Sequence, residues 1–364
     1  MDPLALAFAR LDRGDLAGAA ADFEALADGG HPGARHHLAR LHLYRMLPQP
    51  DLAAARGWLD ALADAGDLEA AWTRAIVTAG EPDGRWAEDL QRVAAAGHAP
   101  ALRSLGLLYA DQPEPAAKAQ AAALFERAAA RGDGLSRMLR AALGPTSAPM
   151  PKAPPALDLA RAARTFAPLA DDEDWRVQPE AFSALDALHW RGTALPRLAP
   201  SQAIDPDSGS GQRLRLRTSD DAQIDPLLED VALRLLQRRL CALSGQPLVH
   251  AEPAVVLRYR PGQEYRLHRD LLPPSVLAHP EQGRGGQRVA TVIAYLTPVE
   301  AGGETDFPRR GLRIRPEPGS ALVFRNLRPD GRVDEDSLHA GLPVDRGEKW
   351  IATLWVRGGP VRGF

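Results

Sequence analysis

The spacing of apolar and polar positions divides the chain into two parts. In the C-terminal half, short apolar runs bounded by turn residues predict strands at 254–259, 265–270, 288–297, 312–315, 320–325 and 349–357. β-Branched and aromatic residues flanked by Gly, Pro or Asp favour a pleated backbone. Val255-Val256-Leu257-Arg258-Tyr259 is one such run, and Arg260-Pro261-Gly262-Gln263-Glu264 is the turn that delivers Tyr265 to His268 into the next. In the first 143 residues the spacing is helical. Glycines at 30, 66, 97 and 132 recur at intervals of 36, 31 and 35 residues, and Phe23, Leu59, Leu90 and Phe125 each stand seven positions before one of them. Ala34, Ala70 and Ala101 follow the first three, and Ala34-x3-Leu38-Ala39-x-Leu41 parallels Ala101-x3-Leu105-Gly106-x-Leu108. Small residues where helices cross, large ones at helical spacing and Gly at the turn describe stacked helical hairpins. The middle copy is degenerate, with Arg74 where leucine is expected; a plain helical bundle is the alternative.

Five prolines among Gly144 to Ala156 disfavour helix and sheet and predict a semi-rigid extended spacer. The expected organisation is a helical repeat domain at 1–143, a linker at 144–156 and a β-rich domain at 157–364 with its core at 195–364. Leu157 to Arg191 reads as mainly helical at its start, broken at Asp171-Asp172-Glu173-Asp174, and Val231 to Leu243 reads as a helix. Composition narrows the picture. At 364 residues and 45% hydrophobic content the chain exceeds one ordinary core. No apolar run approaches the ~20 residues that cross a bilayer, and Met1-Asp2-Pro3 lacks a basic leader. Cys241 is the one cysteine and reads as a buried thiol, so a reducing cytoplasm is the expected location. A net charge of −3 gives no electrostatic case for nucleic acid.

Chemistry enters with His268-x-Asp270, 68 intervening residues, His339, and nine more residues before Lys349. In a strand, positions i and i+2 share a face, so His268 and Asp270 can grip one ion while Arg269 points away. Two imidazoles and one carboxylate are the ligand set of a non-haem Fe(II) centre that keeps positions open for a co-substrate and O2. Lys349 stands out because the chain has three lysines against 41 arginines. His279, in a polar loop, and His36, His37 and His42, at spacings of one and five, read as solvated or packed histidines.

Residues 254–356 resemble the catalytic domain of prolyl 4-hydroxylases among the Fe(II) and 2-oxoglutarate-dependent dioxygenases. The resemblance runs through Arg258-Tyr259-Arg260-Pro261-Gly262 to His268-Arg269-Asp270, Arg288-Val289-Ala290-Thr291-Val292-Ile293-Ala294-Tyr295-Leu296, Gly302-Gly303-Glu304-Thr305-Asp306-Phe307, Pro318 to Phe324, and His339-Ala340-Gly341-Leu342-Pro343-Val344 with Lys349-Trp350. Arg217-Thr218-Ser219 and Ser244-Gly245-Gln246-Pro247 extend it to roughly 195–364. It implies a double-stranded β-helix, a jelly-roll barrel, so the fold class expected for the whole chain is α+β multidomain, with an N-terminal α-helical repeat solenoid. The repeats themselves resemble the Sel1-like, tetratricopeptide-related type, whose concave face binds protein or peptide.

The resemblance also implies roles. His268, Asp270 and His339 hold Fe(II). Lys349 anchors the far carboxylate of 2-oxoglutarate, supported by Tyr295 and Thr291 on one strand face, and Tyr259 bonds the keto-acid end. O2 is the oxidant, succinate and CO2 are co-products, and ascorbate is a candidate reductant. The expected reaction is C4 hydroxylation of a prolyl residue in a protein or peptide partner recruited with help from the repeats. Pro- and Gly-rich Leu271 to Gln287 is expected to cover the site as a lid. Alternatives are hydroxylation of another residue in a ribosomally made peptide or of a small metabolite, and, as a different class, a repeat scaffold with a sensor or inactive oxygenase half.

Overall fold

The four recurrent glycines end helices. The computed structural model describes residues 3–146, 148–149, 151–201, 203–204, 211–212 and 216–364. Within it Gly30, Gly66, Gly97 and Gly132 follow the helices Leu16–Asp28, Leu52–Asp64, Arg85–Ala95 and Pro115–Ala129, with φ of 85°, 98°, 91° and 89°. Any residue carrying a Cβ is strained in that left-handed region. Phe23, Leu59, Leu90 and Phe125 are fully buried, as are Ala34, Ala70 and Ala101 on the helices that follow. From Pro3–Asp12 to Gly134–Leu143, each helix packs against the next in sequence. Gly106 shows why the pattern wants a small residue, since a Cβ there would fall 2.6 Å from the Phe125 ring.

Arg74, the odd residue of the middle copy, is buried together with Asp89. Its Nε donates to Asp89 Oδ2 at 2.6 Å, and its Nη1 reaches Asp64 Oδ1 at 2.6 Å. Breaking a buried ion pair from one side leaves an uncompensated charge, whereas replacing both partners with apolar residues is often neutral. Arg74→Met is therefore expected to destabilise the protein by about 3 kcal/mol, and Arg74→Met with Asp89→Leu to recover most of the loss. Denaturant unfolding of both variants checks this.

The C-terminal part is built on two antiparallel sheets. The larger orders its strands Trp175–Gln178, Ala321–Arg325, Arg288–Tyr295, Lys349–Arg357, Ala254–Tyr259, Asp220–Ile224 and Ala199–Pro200. The smaller orders Leu312–Ile314, Thr305–Phe307, His339–Gly341 and Tyr265–His268. Alternation assigns the two faces of the large sheet. Val256, Val292, Ala294, Ala352 and Leu354 pack on the side covered by the helices Ala184–Ala194 and Val231–Cys241. Leu257, Tyr259, Ile293, Tyr295 and Ile351 face the other way, into a core shared with Phe307 and Ile314 of the smaller sheet. The sandwich so formed is the expected jelly-roll.

Two expectations need correction. Leu157 to Arg191 is not mainly helical at its start: Leu159–Ala162 forms a single turn, and Trp175–Gln178 pairs with Ala321–Arg325 at the sheet edge. Pairing with an existing edge outweighs local propensity in so short a segment. Nor does the Pro-rich stretch hold the two halves apart. Val231, Ala232, Leu235 and Phe364 join the apolar core of the repeats. Arg103 bridges Asp133 at 2.6 Å and Asp230 at 3.1 Å, and His189 lies 3.0 Å from Asp230. The Tyr109 hydroxyl donates to the Pro155 carbonyl at 2.9 Å, which ties the linker to the repeats. No helix among the described residues is long and apolar enough to cross a membrane.

A candidate metal centre and its pocket

Strand register brings the two histidines together. His339 lies directly opposite His268 in the antiparallel pair, where same-face side chains of opposed residues approach most closely. Asp270, two residues beyond His268, completes the cluster: His268 Nε2 is 3.5 Å from Asp270 Oδ1, and His339 Nε2 is 3.8 Å from Oδ2. One ligand atom from each lies within 4.8 Å of the others, the one such group of three or more His, Cys, Asp or Glu among the described residues. In both histidines Nδ1 is bound to a backbone carbonyl, Arg266 O at 2.8 Å and Ser337 O at 2.9 Å. Donation from Nδ1 leaves the Nε2 lone pair facing the centre, the tautomer a metal ligand needs.

The surroundings fix these groups further. Tyr265 stacks on His268 with centroids 3.5 Å apart, and His339 lies between Phe307 and Phe324 at 5.3 and 4.8 Å. Burial, and then the neighbouring His268, lowers His339 to about 4, so its ring is neutral at pH 7. For Asp270, burial alone would raise the carboxyl, but the adjacent His268 and His339 hold it below the ordinary carboxylate range. Two imidazole nitrogens and one carboxylate on one face suit a divalent metal of the Fe(II) type.

The strand Lys349–Arg357 supplies one wall of the pocket behind this centre. Lys349, Ile351, Thr353 and Trp355 all line it, the period of two carrying them to one side. Lys349 is buried, its ammonium lies 5.5 Å from the centre of the Tyr259 ring, and among the described residues no carboxylate pairs with it within 4 Å. Burial lowers it from 10.5 to about 8, with the charge of Glu304 acting the other way. A buried cation without a counter-ion, at one end of a pocket whose other end is a metal-ligand cluster, fits a small dianion held between them.

The remaining expected residues take different places. Tyr259 lines the pocket directly across from Lys349, as its register partner. The Tyr295 hydroxyl is 2.8 Å from Thr305 Oγ1, and Thr305, which sequence reasoning passed over, is the one of the two that lines the pocket. Thr291 lies away from Lys349. Its hydroxyl donates to Asp270 Oδ2 at 2.9 Å and accepts from Asn326 Nδ2 at 2.9 Å. On its strand Thr291 lies opposite Trp355, six residues along the neighbouring strand from Lys349, and it is not among the residues that line the pocket. Its hydroxyl therefore supports the carboxylate ligand. Thr291→Val and Asn326→Ala are each expected to weaken divalent-metal binding about 10- to 100-fold, while Thr291→Ser, which keeps the hydroxyl, recovers most of it. Titration of the metal-free protein with Co(II), beside a thermal melt of each variant, checks this.

Outside the centre, the four histidines that the sequence set aside have other partners. His36 Nε2 bonds Thr73 Oγ1 at 2.8 Å, His42 Nδ1 accepts from the Asp51 amide at 2.9 Å, and His37 packs edge-on against Phe8. His279 Nδ1 accepts from two amides of its own loop. Beyond the inner pocket opens a mouth of about 780 Å³. Leu271 to Pro274 line it, as do Arg288 and Trp355, and sequence reasoning assigned neither of the last two a role. Among the described residues the buried Trp355 indole Nε1 has no hydrogen-bond partner, and Arg288 stacks over the ring at 4.1 Å.

Residues 254–357 match the family model described as the 2OG-Fe(II) oxygenase superfamily. The chain is 34% identical over 188 residues to probable prolyl 4-hydroxylase 3 of Arabidopsis thaliana, covering 46% of this chain and 64% of that protein. It is 33% identical over 210 residues to probable prolyl 4-hydroxylase 4 of the same organism, covering 49% and 67%. The chain thus spans less than two thirds of the first of these relatives. Among solved structures, a viral collagen prolyl hydroxylase of Paramecium Bursaria Chlorella virus-1 in complex with 2OG is 27% identical, with a TM-score of 0.40, over 51% of this chain and 97% of that one.

Proposed function

Since the chain belongs to the 2OG-Fe(II) oxygenase superfamily, we propose that it hydroxylates prolyl residues, at C4, of a protein or peptide substrate. The family implies Fe(II), 2-oxoglutarate and O2 as the reagents. The observation that carries the reading is the pairing of two features at opposite ends of one pocket: the His268, Asp270 and His339 ligand atoms, and the buried, unpaired Lys349. When bound, Fe(II) with 2-oxoglutarate supplies C–H oxidation coupled to decarboxylation, giving succinate and CO2.

The protein's own residues do the rest. Carbonyls of Arg266 and Ser337 hold the two imidazoles in the ligating tautomer. Thr291 and Asn326 orient the carboxylate. Lys349 receives the far carboxylate of the co-substrate, and the Thr305 hydroxyl lines the same pocket from the smaller sheet. Trp355, at the junction of inner pocket and mouth, has an indole N–H in need of an acceptor, which a substrate backbone carbonyl supplies. Tyr265, stacked on His268, limits access to the metal from that side. The repeats share a core with the oxygenase part, which gives them a fixed position from which to help recruit the substrate.

The test is to add Fe(II) and 2-oxoglutarate without oxygen and look for the weak visible charge-transfer band of the chelate. Oxygen is then admitted in the presence of cell-lysate proteins, which are examined by mass spectrometry. The expected result is the band, followed by gain of a single oxygen atom on proline. No band would remove the cofactor assignment; oxygen added to other residues alone would remove the prolyl reading.

A further inference from the structure

The mouth of the pocket does not stop at the oxygenase sheets. A second cavity of about 500 Å³ adjoins it, and the two have Glu252, Pro253, Leu272 and Arg288 as common walls. The far side of that cavity is formed by Leu43 and Tyr44, where the repeat helix Pro32–Leu43 ends, and by the chain's last residues up to Phe364. We infer that the two cavities are one groove for an extended polypeptide, in which the flank of a substrate whose proline lies at the metal runs past Glu252 and Leu272 onto the repeats. The inference rests on the hydroxylase reading and adds to it the place where the repeats meet the substrate.

The saddle between the cavities suits an uncharged, extended chain. Glu252 is held by Arg288 at 2.8 and 2.6 Å and also by Arg357, so no bare carboxylate faces a passing backbone. Pro253 and Leu272 form its apolar flanks. A proline-rich segment in the polyproline II conformation has no internal hydrogen bonds and docks on aromatic and aliphatic walls. Trp355 stands at one end of the groove, and the Tyr44–Phe364 pair, 5.0 Å apart and edge-on, at the other.

The walls are also held in place, which reduces the ordering cost of binding. The Gln287 side chain clamps Leu272, accepting from its amide at 2.7 Å and donating to its carbonyl at 3.0 Å. Arg357 donates to the carbonyls of Gln282 and Gly286, fixing the Pro- and Gly-rich segment as one bank. Arg362 binds Glu229 at 2.6 Å and the Ala251 carbonyl at 2.8 Å, fixing the tail as the other.

Site-directed blocking tests the groove. Gln282 is exposed on the bank, and the one native cysteine, Cys241, is buried with its thiol pushed up to about 11 by that burial, so Gln282→Cys can be alkylated selectively with a bulky maleimide. Oligoprolines of about five and about fifteen residues span ~15 and ~45 Å at about 3.1 Å per residue. KM and kcat are measured for both. The unmodified protein is expected to show a KM at least tenfold lower for the longer peptide, beyond the roughly threefold that its larger number of equivalent prolines supplies. Alkylation should remove that advantage and leave kcat and KM for the shorter peptide unchanged. Turnover of both peptides without a length effect, or an equal effect of alkylation on both, removes the groove and leaves the hydroxylase. Turnover of neither removes the hydroxylase reading and the groove with it.

Discussion

His339→Ala is expected to bring succinate formation to background and to weaken divalent-metal binding by more than the 10- to 100-fold that a supporting residue contributes. The residue is the distal member of the cluster and cannot be replaced by a neighbour, because no other described histidine, cysteine or carboxylate lies within ligand range. Its ring fills a buried position between Phe307 and Phe324 and is tied to Ser337, so the variant also opens a cavity costing about 2–4 kcal/mol. A melt of the metal-free variant separates the two effects: the cavity lowers stability with or without metal, whereas the lost ligand removes only the stabilisation that added Co(II) gives the wild type. Normal turnover by this variant would show that the distal ligand lies elsewhere.

How much of this site was legible in the sequence depended on whether its signal was local. His268 and Asp270 share a strand and a face, and a period of two suffices to pair them. His339 and Lys349 needed the order of motifs, since nothing in their own neighbourhoods states that three-residue His339–Gly341 pairs with Tyr265–His268. Thr291 was assigned from the correct face but the wrong depth. Its alternation with Ile293 and Tyr295 places all three inside the sandwich, but each pair of residues moves the chain about 6.6 Å along the strand. Tyr295 therefore lies toward the lysine and Thr291 beneath the carboxylate. Asn326 and Thr305 gave no signal at all, because each acts through a partner distant in sequence.

The fold follows the same division. Strands with strong apolar runs, such as Ala254–Tyr259 and Lys349–Arg357, lie within a residue or two of their expected bounds. Trp175–Gln178 and Asp220–Ile224 did not read as strands, since each is polar or short and is stabilised by the edge it joins. In the repeats, glycine spacing captured the turns, and the degenerate copy proved to be an ion pair in place of an apolar contact. The packing of repeats on oxygenase had no counterpart in either half, because it depends on surfaces of Val231–Cys241 and Phe364 that look like ordinary core or tail residues until the other half is present.

Lys349 makes opposite contributions to stability and to binding. Its folded value of about 8 lies below the ordinary 10.5, so the ionised form disfavours folding. The penalty is fully present below pH 8 and is relieved as pH rises from there toward 10.5. Lys349→Met is accordingly expected to raise the melting temperature of the ligand-free protein at pH 7, an effect readable without any cofactor. The same variant is expected to lose about 3 kcal/mol of 2-oxoglutarate affinity, or on the order of 100-fold in KM, without loss of Co(II) affinity, because Lys349 is not a ligand and its positive charge opposes a cation beside His339. Titration gives a further sign test. In the wild type the ammonium attracts a carboxylate below pH 8, so 2-oxoglutarate affinity holds there and falls as pH rises through 8, by up to about tenfold per unit until the raised value in the complex is reached. In Lys349→Met that fall should vanish. Lys349→Arg is not expected to restore binding, because the position is buried and a planar guanidinium is bulkier than the ammonium it replaces. A guanidinium in that space cannot occupy the ammonium's position. Retained affinity in Lys349→Met, with the pH dependence intact, would place the co-substrate anchor on another residue.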